Sequence, residues 1–477
     1  MARQTNSKSW NPRALIRKSL AFLTLAALSI GCGDWAEYGN GPLNPHNKNF
    51  AGPQAGLASI LNLLFGTGGG FGQEVGVLVD HNGDYYVSSY SNWIHYFWHT
   101  GTWGCAVDLG VPGSRAVPYI ATFDRMLFTG AEGGGFYAIE FDKSATPCTL
   151  NIVASDLTIG KSESSPKRAL DQSLYMAEHR GIVHRFDYAG GGVLTHLGSL
   201  ALASGEEVTG GIALYDVTPD YEAEEVLVAT TAGNFYVLDH ELTTVIWSET
   251  TGSLTADQYY AGVTVAERGP HHSPVALLPI AARNGATTPN SGILRAIDLA
   301  LGNVAWELTP SKTLAGKHEI VGSVAVLFEQ TDYIPGTPSS THPGSGTRTP
   351  GNPGDNRDGT DAEIGLWHAT FASTDTYLYG VDLISGLEIW DYHMRESGFE
   401  APVVDASNLI YVGDGSSLLH AVNGNMFCPG CVVWVNASLQ AGNQTDIVKL
   451  GLTREYWDGG DRGLVVGTRK EAFALWD

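Results

Sequence analysis

The sequence is short of positive charge. Its 477 residues hold 27 Lys and Arg against 50 Asp and Glu, a formal net charge of −23. A field of that sign repels nucleic-acid phosphates and anionic lipid surfaces, which excludes both as general partners. Long apolar runs are also missing: Leu20 to Leu28 falls well below the roughly 20 residues that a permanent membrane helix needs. No G-x-S-x-G, H-E-x-x-H or P-loop pattern occurs, so no motif marks a nucleophile, a zinc protease site or a phosphate cradle. Cysteine is scarce, with five residues and no adjacent pair. The one C-x-x-C is followed by Val432, where attachment of a c-type haem needs His.

The amino-terminal stretch differs from the rest. Arg3, Lys8, Arg13, Arg17 and Lys18, with no acidic residue among them, precede the short apolar run, the pattern of an export signal over residues 1–31. Ser29-Ile30-Gly31-Cys32 follows. It resembles the bacterial lipobox, in which small residues admit the signal peptidase and the thiol accepts diacylglycerol, although Ser29 stands where Leu is commoner. The resemblance implies lipidation at Cys32 and an exported, membrane-anchored lipoprotein of the bacterial cell envelope, periplasmic or on the cell surface. Cleavage near Gly31 with Cys32 left as a plain thiol is the alternative. Acyl chains hold a protein to a membrane through buried methylenes, roughly 0.8 kcal/mol each.

Beyond residue 31 the balance is 22 basic to 50 acidic residues, a charge that serves solubility without requiring a partner. Four cysteines remain there, Cys105, Cys148, Cys428 and Cys431. An even number in an exported chain suggests disulfides, with the pairing left open. Cys428-Pro-Gly-Cys431 reads as a structural clip in a turn, with a redox or metal pair as the alternative.

Glycine is abundant, at 59 residues, which points to many tight turns and an all-β chain. One pattern recurs: an apolar strand, a small residue, an apolar residue, Asp or Asn, a turn often ending in Gly, and Trp eight places after the Asp. Its clearest copies run from Leu294 through Asp298 and Gly302 to Trp306, and from Leu378 through Asp382 and Gly386 to Trp390. A third leads from Phe235 through Asp239 to Trp247. Weaker copies centre on His99, Glu140, Asp187 and Asn423, the last reaching Trp434, and an eighth begins at Glu471. Physically, the Asp accepts backbone N–H groups in a turn, Gly supplies positive φ, and Trp wedges against the next sheet.

The repeat predicts an eight-bladed β-propeller of four-stranded antiparallel blades over residues 73–477. The final unit stops one strand short, and a closed ring leaves no open edge. The apolar stretch Leu57 to Phe65, within a tether over residues 32–72, is the expected donor. A Pro/Gly/Thr-rich insertion over residues 329–363 of the sixth unit is expected to be disordered. Within it Asp355, Asp358, Asp361 and Glu363 resemble a calcium loop, but Gly354 occupies the first ligand place. A solvated acidic loop is the plainer reading.

The Asp, Gly and Trp units, with Asp34-Trp35-Ala-Glu-Tyr-Gly-Asn-Gly after the lipobox, resemble the pyrroloquinoline-quinone-type repeat proteins. That family includes quinoprotein alcohol dehydrogenases and the outer-membrane-assembly lipoprotein BamB. The resemblance implies one of two functions. The first is a non-enzymatic, monomeric scaffold that binds envelope proteins and needs no cofactor. The second is a dehydrogenase of alcohols or sugars using pyrroloquinoline quinone and calcium, but the vicinal cysteines of the large quinoproteins are missing. No catalytic residue is assigned. The acids Asp332, Glu363 and Asp405 are ordinary members of an acidic chain. His179 and the pair His271-His272 are the metal or base candidates, and loop or surface histidines are the plainer reading.

Overall fold

The computed structural model describes residues 59–62 and most of 76–476. Residues 1–58, 63–75, 251–261, 281–289, 313–316, 328–367, 437–446 and 455–461, with shorter loop stretches elsewhere, lie outside the description. The expected signal, Cys32, the tether apart from residues 59–62, and the insertion with its acidic residues therefore fall outside the described residues. The chain divides after Gly33 into two units, and every described strand belongs to the second, Asp34–Asp477.

Each repeat builds one antiparallel sheet of four strands, and eight such sheets are described. The first holds Gly76–Val79, Tyr85–Ser88, Trp93–Phe97 and Trp103–Asp108. Sheets two, three and four span 119–156, 167–201 and 213–250 in the same consecutive order. In the fifth, Thr264–Ala266, Val275–Ile280, Ile293–Asp298 and Asn303–Leu308 lie side by side. A short parallel pair, Asn290–Ser291 with Lys317–His318, which the repeat did not foreshadow, stands apart from it. Sheets six and seven span 325–393 and 403–436. In the last, Ile447–Arg454, Arg462–Thr468 and Ala472–Trp476 are completed by Ser59–Asn62, paired antiparallel from Ser59 opposite Trp476 to Asn62 opposite Phe473.

Apolar residues buried between sheets, not within them, form the core. Separate clusters join sheets one and two around Tyr86 and Ile139, two and three around Phe128 and Phe186, and three and four around Tyr175 and Leu238. Further clusters join four to five, five to six and six to seven. The first strand of sheet one touches two strands of the last sheet. This is a β-propeller. A disulfide between Cys105 and Cys148 ties the outer strand of sheet one to the hairpin of sheet two.

The structure gives each motif residue a cause. The small residue lies opposite the Trp in register, Ala296 across from Trp306, Gly380 from Trp390 and Ala421 from Trp434, with a β-bulge immediately after each. At Gly380 any side chain would collide with the Trp390 indole, whereas sheet four fits Val237 opposite Trp247. Asp298 accepts the N–H groups of Ala300 and Leu301 at 3.0 and 2.9 Å. Asp382 accepts those of Ile384 and Ser385 at 3.2 and 2.7 Å, and Asp239 those of Thr243 and Thr244 at 2.8 and 2.6 Å. Gly302 and Gly386 hold φ of 68° and 71°.

One of the weaker copies is corrected. In sheet one the bulge after Tyr96 places Trp98, not His99, at the Asp position, because the hairpin there is shorter. In sheet two the bulge after Ala138 leaves Glu140 at the Asp position as the repeat predicts, but pairing continues to Asp142, which accepts Ser144 N–H at 2.9 Å and holds the turn of the longer hairpin.

Candidate functional site

The connections between sheets and the turns between second and third strands share one rim, because their backbones are bonded to each other. Glu132 N–H donates to Gly113 O, Ser162 to Ala131, His179 to Lys161, Val208 back to His179, and Thr231 to Glu207. This ladder runs through sheets two, three and four. It collects charged side chains that lie far apart in sequence.

Lys161 stands at the centre of the group. Its Nζ is 2.6 Å from Glu132 Oε1 and 3.0 Å from Glu163 Oε1. The two carboxylates outweigh burial and hold the lysine above its ordinary value. Burial, helped by the nearby charge of Glu132 and opposed by Lys161, lifts Glu163 above the usual carboxyl range. The Glu163 side chain is only 1% exposed, so no substrate reaches it in this arrangement. The group ties the turn of sheet two to the connector that leads into sheet three.

The sequence candidates are distributed differently. His179 sits in the turn of sheet three, its ring 3.9 Å from Glu207. His272 lies between the first two strands of sheet five, and His271 is outside the described residues. Asp405 holds a turn: it accepts the N–H groups of Ser407 and Leu409 at 2.8 and 2.9 Å and the Tyr411 hydroxyl at 3.1 Å. Cys431 is disulfide-bonded, while Cys428, like Asp332, Asp355, Asp358, Asp361 and Glu363, is outside the described residues. Asn423 begins the turn leading to Cys431 through its carbonyl, which accepts Gly430 N–H.

The motif residues do meet, and they do so across sheets. Trp247 of sheet four lies over the Gly302 turn of sheet five. Trp306 of sheet five covers Gly386 of sheet six and donates from Nε1 to Leu383 O at 2.9 Å. Trp390 of sheet six reaches Gly430 of sheet seven.

The rim network had no sequence signature. Glu132, Lys161 and Glu163 belong to no periodic pattern, and only the sheet-to-sheet packing unites them. Lys161-Ser162-Glu163, a charged pair in a connector that precedes a buried strand, was the one available hint.

The family resemblance implies calcium beside a quinone. Calcium takes six to eight oxygen ligands, chiefly carboxylates and carbonyls. On the rim Lys161 already neutralises Glu132 and Glu163, and Asp405 is saturated by its own turn. Among the described residues no group of three or more His, Cys, Asp or Glu gathers as a metal requires. The described residues do not fit the calcium.

No family model matches the chain, and neither does any curated protein. Solved structures do. The chain is similar to a europium-containing methanol dehydrogenase with TM-score 0.62 at 13% identity, covering 94% of this chain and 92% of that one. It is similar to the quinohemoprotein alcohol dehydrogenase of Comamonas testosteroni with TM-score 0.61 at 11% identity, over 93% and 80%. Sqt1 of Saccharomyces cerevisiae aligns equally well, with TM-score 0.61 at 9% identity over 88% and 99%. At such identities the likeness shows the propeller fold and nothing about activity.

Proposed function

We propose that this chain is a cell-envelope lipoprotein whose propeller binds other envelope proteins as an assembly scaffold, the role that its resemblance to BamB-type lipoproteins implies. One observation carries the reading. The outermost strands expose apolar side chains on open edges: Val245 and Ile246 in sheet four, Val304 in sheet five, and Val432, Val433 and Val435 in sheet seven. On Cys431–Asn436 the three valines are about half exposed, within a strand that is the outermost of its sheet among the described residues. Apolar side chains on a free strand edge suit a partner that adds a strand or lays down an apolar face. The acidic surface screens out anionic partners and keeps the free form apart.

Photo-crosslinking from position 433 in the native envelope tests this reading. A defined protein adduct, lost when Val432 and Val435 are changed to Lys, is the expected result. Dye-linked alcohol oxidation by the full chain supplied with quinone and calcium would overturn it in favour of a dehydrogenase. The anchor is tested separately: Cys32→Ala should release the protein from membranes.

A further inference from the structure

Asp80 and Asp84 flank the hairpin that joins the first two strands of sheet one, and Asp84 N–H donates back to Asp80 Oδ1 at 3.2 Å. Lys143 directly follows Phe136–Asp142, the third strand of sheet two. Packing of the two sheets brings its ammonium to both acids: Nζ is paired with Asp80 Oδ2 and lies 2.6 Å from Asp84 Oδ2. The Asp80 side chain is wholly buried, and that of Asp84 is 3% exposed. The rings of Tyr86, Tyr96 and Phe141 wall the nitrogen in, with centroids 5.9, 5.4 and 5.8 Å away.

One carboxylate would complete an ion pair. Here a second acid holds the same nitrogen, and each oxygen of the two acids is fixed in place. Asp80 Oδ1 accepts the backbone N–H of Asp84, while Oδ2, beside the nitrogen, has the Tyr86 hydroxyl at 3.4 Å. Asp84 Oδ2 accepts the Tyr96 hydroxyl at 2.8 Å. Its Oδ1 accepts His99 N–H at 2.8 Å, with the His99 ring 3.4 Å away. Nitrogen, carboxyl carbon, proton acceptor and oxyanion donor therefore stand together before any reaction, and such positioning turns a slow bimolecular condensation into a unimolecular one.

We propose that Lys143 and Asp80 condense to an isopeptide bond, with Asp84 relaying the protons. Asp84 Oδ2 takes one proton from the ammonium and passes it to Asp80 Oδ2. The Nζ lone pair then attacks Asp80 Cγ, and the negative charge that develops on Oδ1 meets the Asp84 N–H. Asp84 moves a second proton from the nitrogen to Oδ2, the Cγ–Oδ2 bond breaks, and water leaves past the partly exposed lysine side chain. An ammonium and a carboxylate have become an amide and one water. Both protons of that water come from Lys143, and no oxidant or cofactor is consumed. Charges held out of water are costly, and the amide removes two of them from the socket. The ion pair is the state in which the chain folds, and the amide is what it matures into. The bond ties the same two sheets as the Cys105–Cys148 disulfide, but reductant does not open it.

The test is a fragment map of the full chain, unfolded and reduced so that no disulfide links the two sheets. Trypsin should fail to cleave after Lys143, and the fragments containing Asp80 and Lys143 should appear as one branched species, lighter than their sum by one water. Lys143→Arg should give two separate fragments of full mass. Asp84→Asn should do the same where circular dichroism shows it folded, and if it does not fold, the parent and Lys143→Arg maps decide. Separate fragments from the parent chain would overturn the proposal. So would a water deficit that persists in Lys143→Arg, as a succinimide elsewhere would give. A branched species in folded Asp84→Asn would remove Asp84 from the proton relay.

Discussion

The indole of Trp306 occupies the space that any side chain on Gly386 would need: a Cβ there would lie 2.5 Å from the ring. The two residues belong to neighbouring sheets, and the contact recurs for Trp247 on Gly302, where the same distance would be 3.6 Å. Both glycines have positive φ. Gly386→Ala therefore combines backbone strain with overpacking and is expected to cost about 2–4 kcal/mol. Gly302→Ala meets only the strain, about 1 kcal/mol. Thermal melts of the two variants side by side check this, and equal losses would remove the indole from the explanation.

Lys143 carries a second contact between sheets. Its ammonium lies in a socket of sheet one, paired with Asp80 and 2.6 Å from Asp84 Oδ2, beneath the rings of Tyr86 and Tyr96. Both carboxylates are almost wholly buried. Removing one partner of a buried ion pair strands the other charge. Lys143→Met should lower stability by about 3 kcal/mol or more, whereas Lys161→Met, with a more exposed ammonium, should lose less. Chemical denaturation measures both, and the reverse ranking would contradict the burial argument.

These two contacts show what could be read from the residue order. Asp298, Gly302 and Trp306 recur at fixed spacing because each sheet must cap a hairpin and cover its neighbour, so strands, sheet boundaries and the closing strand before sheet one were all legible. The shift from His99 to Trp98 was not, because hairpin length is set by pairing and leaves no mark in composition. Lys143 with Asp84 and His196 with Asp156 were invisible for a different reason. Each joins residues of two repeats through packing, and a repeat pattern describes what the units share, while these pairs are where they differ.

His95 gives the fold a pH dependence. Burial lowers it from its ordinary value to about 4, so between pH 6.5 and 4 the unfolded chain binds a proton that the folded chain refuses. Stability from this group is complete above pH 6.5 and falls as the pH drops toward 4, by about 3 kcal/mol at most. Asp239 and Asp414 are held below the usual carboxylate range by hydrogen bonds that outweigh burial, so their contribution is lost only at still lower pH. Melting temperatures of the parent and of His95→Gln, followed from pH 7.5 to 4.5, should diverge, with the variant flatter. Parallel curves would exclude His95 as the source.

The last sheet depends on a strand from the other end of the chain. Ser59–Asn62 pairs with Phe473 to Trp476, and without it the strand Ala472–Trp476 presents an open edge, the arrangement that invites pairing between copies. Four paired residues form about two to four backbone hydrogen bonds, each adding about 1 kcal/mol. A chain starting at residue 67 should therefore melt at a lower temperature and form oligomers on size exclusion, since an unpaired edge both weakens its own sheet and recruits a neighbour. A peptide of residues 57–65 supplied in trans should reverse both effects, because it restores the missing partner without adding any other contact to the ring. If the shortened chain remained monomeric and melted as the parent does, the edge would have to be covered by something other than this strand, and the pairing of Leu61 with Ala474 would contribute nothing to closure.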